Sequence, residues 1–164
     1  MLRSTIQHLL TRELLALRRG VEAYPDDASL WRPLPGIANV GGTLALHIAA
    51  NLQHFIGAVL GKSGYVRDRD AEFARRNVTR DAILREIDGA IGAVERGLQA
   101  IDDDALPRVY PEKVAGRDVA TGDYLVHLAS HLGYHLGQLD YHRRIVTGDG
   151  RTVDAIAAKD LPVR

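Results

Sequence analysis

The sequence predicts an all-α protein, a four-helix bundle. Three observations lead to it. Four long segments carry apolar side chains at steps of three and four, the period of an amphipathic helix. No segment sustains the alternation of a half-buried strand. Helix-ending residues, Pro25, the glycines from Gly61 to Gly64 and Gly148, fall just after three of the four segments.

The first helix spans Leu2 to Tyr24, with Ile6, Leu9, Leu10, Leu14, Leu17, Val21 and Tyr24 on one face, and Pro25 with the Asp pair behind it ends the run. The stretch PDDASLWRPLPGIANVGG has three prolines, three glycines and no period, so it reads as an ordered connection anchored by Trp31. A second helix runs from Asn39 or Thr43, each a suitable N-cap, to Gly61, with Leu44, Ile48, Leu52, Phe55 and Val59 as its apolar stripe. The charged segment GYVRDRDAEFARRN then leads to Thr79, which caps a third helix carrying Ile83, Ile87, Ile91, Val94, Leu98 and Ile101. Asp81 in its first turn suits the helix dipole. The fourth helix begins between Thr121 and Asp123 and continues to Thr147, where Gly148 is placed to stop it.

Residues 1–148 are thus expected to form one bundle domain. Residues 149–164 form a tail packed on or beside it, with at most a short helical turn. The chain has 164 residues, enough to bury roughly 70% of the surface its unfolded form exposes. Neither an internal repeat nor a low-complexity linker divides it. The loops are long for a minimal bundle, which suggests that they do more than connect.

Composition narrows the function. The absence of cysteine excludes disulfides, thiolate metal sites, iron–sulfur clusters and a protein thiol nucleophile. Lys plus Arg equals Asp plus Glu at 21 each, so the field that would attract a nucleic acid is missing. No stretch reads as the ~20 apolar residues that span a bilayer, and the N-terminus lacks a signal-peptide core. The expected location is the cytoplasm, without membrane or nucleic-acid partners.

The histidines carry the chemical signal. Five of seven fall in two windows, LALHIAANLQHF with His47 and His54, and LVHLASHLGYHLGQ with His127, His131 and His135; His142 extends the second. At about 100° per residue, His127, His131, His135, Gln138 and His142 form one polar stripe, and His47, Asn51 and His54 form another. Both stripes border apolar faces, so helix packing would bring them toward one cavity. Imidazole is the commonest metal ligand, and two histidines four apart can reach one ion. Residues seven or eight apart lie about 10–12 Å apart along the axis. Hence His47 and His54 do not share an ion, nor do His127 and His135. Spacing leaves two pairs open, His127 with His131 or His131 with His135, and a third ligand must come from elsewhere. Taken singly, His54, His127 and His142 read better as hydrogen-bonded core or rim side chains, and His8 has no partner in sequence.

The run HLGYHLGQ, His131 to Gln138, resembles the fourth-helix motif of the DinB superfamily of metal-dependent bundle proteins. The segment GGTLALHIAANLQHFIGAVLG followed by GYVRDRDAEF is similar to a DinB-like subgroup, and the likeness spans nearly the whole chain. The resemblance implies a helix order of up-down-down-up and a metal triad of His47, His131 and His135. It also implies that Asn51 and Gln138, each within a turn of a ligand, orient an imidazole or a bound water. It points to a homodimer, the commonest oligomer, and to transferases and isomerases that use a low-molecular-weight thiol.

Three neutral imidazoles leave a divalent ion open positions, the arrangement of a catalytic site. The donor set suits zinc, nickel, copper or iron, with zinc or nickel expected. Such an ion lowers the pKa of a bound thiol or water, and a chain without cysteine must take its thiol from outside. The expected activity is attack of that thiol, or of water, on a small electrophile. The other class is a metal- or ligand-binding bundle without turnover, such as a stress-associated binding protein, which the lack of an evident general base beside the triad favours. Arg67, Asp68, Arg69, Asp70 and Glu72 read either as a pocket rim with an arginine clamping a carboxylate or as a solvated loop. Tyr134 and Tyr124 are candidates to line the cavity. A di-iron carboxylate site is excluded because no glutamate is followed by His three residues on, and covalent haem because Cys-x-x-Cys-His is absent.

Overall fold

The computed structural model describes residues 2–161; the expected tail residues 162–164 lie outside the described residues. The chain is all-helical, with no strand among the described residues. Four long helices make the body: α1, Leu2–Glu22; α3, Gly41–Leu52, continued by a π-helical segment Gln53–Leu60; α5, Arg80–Gln99; and α6, Thr121–Thr147. Among the described residues, two short α-helices lie in the connections, α2, Asp27–Leu30, and α4, Arg69–Ala74, with single 3-10 turns at Asp103–Ala105 and Ala158–Asp160.

Apolar stripes at helical spacing become a common core. Leu10, Leu14, Leu17 and Val21 of α1, Ile48 and Ile56 of the second long helix, Ile83, Ile87 and Val94 of α5, and Leu125, Leu128 and Leu139 of α6 are all buried together. Each contributes about 1.5–3 kcal/mol by leaving water. The ends of the helices are matched in pairs. Arg3 at the start of α1 donates to the Leu98 carbonyl near the end of α5 at 2.7 Å. Tyr24, just beyond α1, meets His142 near the end of α6 at 2.7 Å. On the second long helix, Gln53 donates to Glu86 of α5 at 3.0 Å, while His47 faces His131 of α6. Helix α1 therefore lies between α5 and α6, and so does α3.

Close approach of α5 to the π-helical segment depends on small residues. A side-chain carbon on Gly57 would come within 2.8 Å of the Ala93 methyl, and one on Gly97 would strike the Ile56 backbone.

The caps at Thr79 and Gly148 follow expectation. Thr79 Oγ1 accepts from Ala82 N at 3.3 Å, and Gly148 adopts φ 70°. The start of α3 differs. Neither Asn39 nor Thr43 caps it; Val40 holds the cap position without a side-chain bond, and Thr43 is buried inside the helix. The reason is packing. Gly42 lies under the Trp31 indole, where a side-chain carbon would sit 2.7 Å from the ring, so the helix begins as soon as the glycines allow contact. Trp31 anchors the connection as expected, donating Nε1–H to the Val78 carbonyl at 2.9 Å. Helix α5 ends at Gln99, short of Ile101.

The short helices α2 and α4 occupy segments expected to be irregular, and each starts at an aspartate. Asp26 accepts from Ser29 N at 2.8 Å and Asp68 from Ala71 N at 2.9 Å, side-chain caps that satisfy otherwise orphaned donors. The segment after Gly148 lies along α1, where Val153 O accepts from Arg19 Nε and Ile156 N donates to Glu13, each at 3.0 Å. One further expectation needs correction. Gly41–Leu60 is long and apolar enough by composition to cross a membrane. It is a core helix, with 78% of its most apolar window buried, and its flanks are taken up by α5 and α6.

Candidate metal centre

The second long helix and α6 each place histidines where the two pack. His47 comes from the middle of α3; His131 and His135 come from successive turns of α6, so their side chains leave the same face. Their ligand atoms all lie within 4.8 Å of one another. His47 Nε2 is 3.3 Å from His131 Nε2, and His135 Nε2 is 3.1 Å from the same atom. Metal–imidazole bonds of about 2.0–2.1 Å put neighbouring donor nitrogens about 2.9–3.4 Å apart in tetrahedral or octahedral geometry. Both separations fall in that interval.

The tautomers follow from the outer nitrogens. His47 Nδ1–H donates to Glu72 Oε2 at 3.0 Å, and His135 Nδ1–H to Gln138 Oε1 at 2.7 Å. Each bond leaves an Nε2 lone pair pointing inward. His131 completes the set. Burial, with His135, His47, His127 and Arg67 adding to it, pushes its pKa down to about 4, so near neutral pH the ring is neutral, with one nitrogen free to act as a ligand. Burial also lowers His135, against the opposing pull of Gln138. The His47 and His135 lone pairs converge on His131 Nε2; with the His131 proton on Nδ1, three lone pairs would face one another, and a cation is what such a donor set fits.

Glu72, which the sequence leaves as part of a pocket rim or of a solvated loop, is in neither place. Its side chain is 5% exposed. Oε1 accepts from Arg67 Nε at 2.6 Å, and Oε2 accepts from both Arg67 Nη2 at 2.8 Å and His47. Burial alone would raise its pKa, yet the hydrogen bonds from His47 and Arg67 outweigh that and hold it below the ordinary carboxylate value. The segment that carries it is turned by left-handed residues at Lys62 and Gly64, then wound into α4 by the Asp68 cap, which sets Glu72 against His47. Phe73 follows, its ring 5.0 Å from that of His47. Two signals in the sequence could have found Glu72: the aspartate cap that starts a helix in RDRDAEF, and the rule that a ligating histidine usually donates to a carboxylate.

The other candidates divide. Gln138 is placed as expected, against His135. Asn51 is buried one turn beyond His47, and its Oδ1 has no partner among the described residues. Arg67 stands at the centre, with two of its nitrogens engaged by Glu72. Arg69 is exposed and stacks on Phe73 at 5.6 Å. Tyr134 is 65% exposed, with its ring 5.2 Å from His135. Tyr124 is buried between Phe55 and Tyr110, and burial pushes its pKa up to about 12.

Of the pairs left open by spacing, His131 with His135 is the one brought together with His47; His127 is exposed and stacks on Tyr124 and His131. His54 lies 3.2 Å from Glu112, and His142 bridges Tyr24 and the Arg32 carbonyl. His8 meets the Asp160 carbonyl in the tail.

No curated protein matches the chain. The fold is similar to that of a DinB-like protein from Bacillus cereus ATCC 10987, at 20% identity and a TM-score of 0.61, over 82% of this chain and 86% of that one. The DinB superfamily model matches residues 9–139, which include all three clustered histidines. With the helical fold, the three-histidine group and this match together, the chain belongs to the DinB superfamily.

Proposed function

We propose that this protein is a metal-dependent enzyme that uses a zinc or nickel ion on His47, His131 and His135 to activate a low-molecular-weight thiol, or water, toward a small electrophile, as a transferase or isomerase. The observation that carries the reading is the inward convergence of three imidazole nitrogens, two of them fixed in tautomer by Glu72 and Gln138. When bound, a divalent ion there would supply the Lewis acidity that brings a thiol or water to its deprotonated form near neutral pH.

The chain's own residues do the rest. Glu72 holds His47 and brings a negative charge close to the site, offset by Arg67. Gln138 sets the plane of His135. Asn51 offers a buried acceptor, Oδ1, on the His47 side of the centre. The absence of cysteine means that a sulfur nucleophile has to arrive with a cosubstrate. The paired helix ends described above support the up-down-down-up bundle order: α1 runs with α6, α3 runs with α5, and the two pairs are opposed.

The test has two parts. Elemental analysis of the protein beside His47→Ala, His131→Ala and His135→Ala should find about one ion per chain in the parent and little in each variant. Metal-reloaded protein should then consume a thiol in the presence of a model electrophile such as 1-chloro-2,4-dinitrobenzene. Full metal content in all three variants would overturn the site. Metal binding without thiol or water chemistry across a broad panel would leave a binding protein in place of the enzyme.

A further inference from the structure

A cavity of about 450 Å³ lies between residues 36–39 and the C-terminal half of α6, within the size range of small-molecule sites. Ile37, Tyr141 and Ile145 give it apolar walls, and each of these side chains is otherwise exposed to solvent. Gly137 forms part of the lining on α6, and a side-chain carbon built there meets no atom within 4 Å. The helix thus keeps its backbone bare at this part of the lining.

Two features define what would fit. No Asp, Glu, Lys or Arg lines the cavity, and the imidazole in its wall, His142, has both nitrogens engaged, by Tyr24 Oη at 2.7 Å and the Arg32 carbonyl at 2.9 Å. An ionised ligand would give up hydration there with no opposite charge on the lining to replace it, and the Arg144 guanidinium, 6.0 Å over the Tyr141 ring, is already paired with Asp140. The second feature is Gln138. Gln138 lines the cavity; its Oε1 accepts from His135, while its Nε2 makes no hydrogen bond among the described residues.

We propose that this cavity is a binding site for an uncharged, largely apolar small molecule that presents one hydrogen-bond acceptor to the Gln138 amide. Because Gln138 also holds His135, the site adjoins the metal centre through a single side chain. Its assignment to the apolar body of the substrate rests on the metal-centre reading; the binding itself does not.

The test uses prodan, a neutral naphthalene dye with one ketone acceptor, titrated into the metal-free full chain and followed by fluorescence. Saturable binding of one dye per chain is expected. Gly137→Leu fills the cavity from the helix with a better helix former, so the fold is kept, and should weaken binding at least tenfold. Gly133→Leu, one turn earlier and facing a different apolar groove beside α1, should leave affinity within about twofold. Anilinonaphthalene sulfonate, of similar shape but anionic, should bind at least tenfold more weakly than prodan.

Unchanged affinity in Gly137→Leu, loss only in Gly133→Leu, equal binding of the anionic dye, or one dye per two chains with loss on dilution would each overturn the proposal. The last outcome would mean that a second copy makes the groove. Failure of the histidine variants to lose metal, with dye binding intact, would sink the metal reading and leave the cavity standing; the reverse result would do the opposite.

Discussion

Replacing Glu72 by Gln keeps size and shape and removes one acceptor. In the parent, both carboxylate oxygens are in use: Oε1 takes Arg67 Nε–H, and Oε2 takes Arg67 Nη2–H together with His47 Nδ1–H. A glutamine has one oxygen and one amide nitrogen for the same three donors. If the oxygen stays with His47, the amide N–H faces the Arg67 guanidinium, which is left buried beside a donor. If the oxygen turns to Arg67, the amide donates to His47 Nδ1, and the imidazole proton moves to Nε2, the atom that faces the other two rings.

Either arrangement weakens metal binding, the second by occupying the ligand lone pair and both by removing a negative charge near the ion. Loss of a carboxylate behind a ligating histidine ordinarily lowers affinity about 10- to 100-fold, which corresponds to about 1.4–2.8 kcal/mol. Stability of the metal-free protein should also drop. Breaking a buried ion pair by neutralising one partner costs about 3–5 kcal/mol, and the Arg67 side chain is 10% exposed, so a fall at or just under the lower end is expected. The assay is competition of protein and a calibrated chelator for zinc, read beside urea unfolding of the metal-free forms. Parental zinc affinity in Glu72→Gln, alongside clear loss in His47→Ala, would refute the role given to Glu72.

Four further outcomes are expected. His142 is buried with a lowered pKa; as pH falls, the unfolded chain takes up the proton first, so its contribution is complete above about pH 6.5 and is lost below that toward the folded pKa. Urea unfolding of metal-free protein between pH 7.5 and 5 should fall more steeply in the parent than in His142→Gln, and parallel curves would count against it. Gly97→Ala should destabilise by about 1–3 kcal/mol despite its better helix propensity, because the methyl meets the Ile56 backbone. Gly133→Ala, which meets nothing within 4 Å, should raise stability by about 0.5–1 kcal/mol in the same thermal melts. Leu14→Ala, at a fully buried position, should lower stability by about 2–5 kcal/mol in urea titration.

The long helices were legible because each is a single periodic pattern with a physical stop: Pro25 after α1, Thr79 before α5, Gly148 after α6. The start of α3 was not, because it is decided by tertiary contact. Gly41 and Gly42 let the backbone close on Tyr24 and Trp31, and that contact sets the boundary in place of the cap chemistry of Asn39 or Thr43. The short helices α2 and α4 were hidden for another reason. Four and six residues are too few to show a period, and only the aspartate before each betrays it. At the site, spacing on α6 could remove His127 with His135 but could not choose between the neighbouring pairs. That choice depends on the height at which α3 crosses α6, a property of two helices together that neither sequence window contains.

The same distinction explains why Glu72 escaped notice as a partner of the three-histidine group. Ligands on regular helices share a face, so their spacing is fixed by 3.6 residues per turn. A group that arrives from a connection is placed by turns, here the left-handed Lys62 and Gly64 and the Asp68 cap. Yet the connection shapes the candidate centre, since the helices supply three rings and Glu72 of the 61–74 segment sets which nitrogen of His47 carries its proton. The long loop is therefore part of the centre: shortening it while leaving all three histidines in place should lower zinc affinity about as much as Glu72→Gln does.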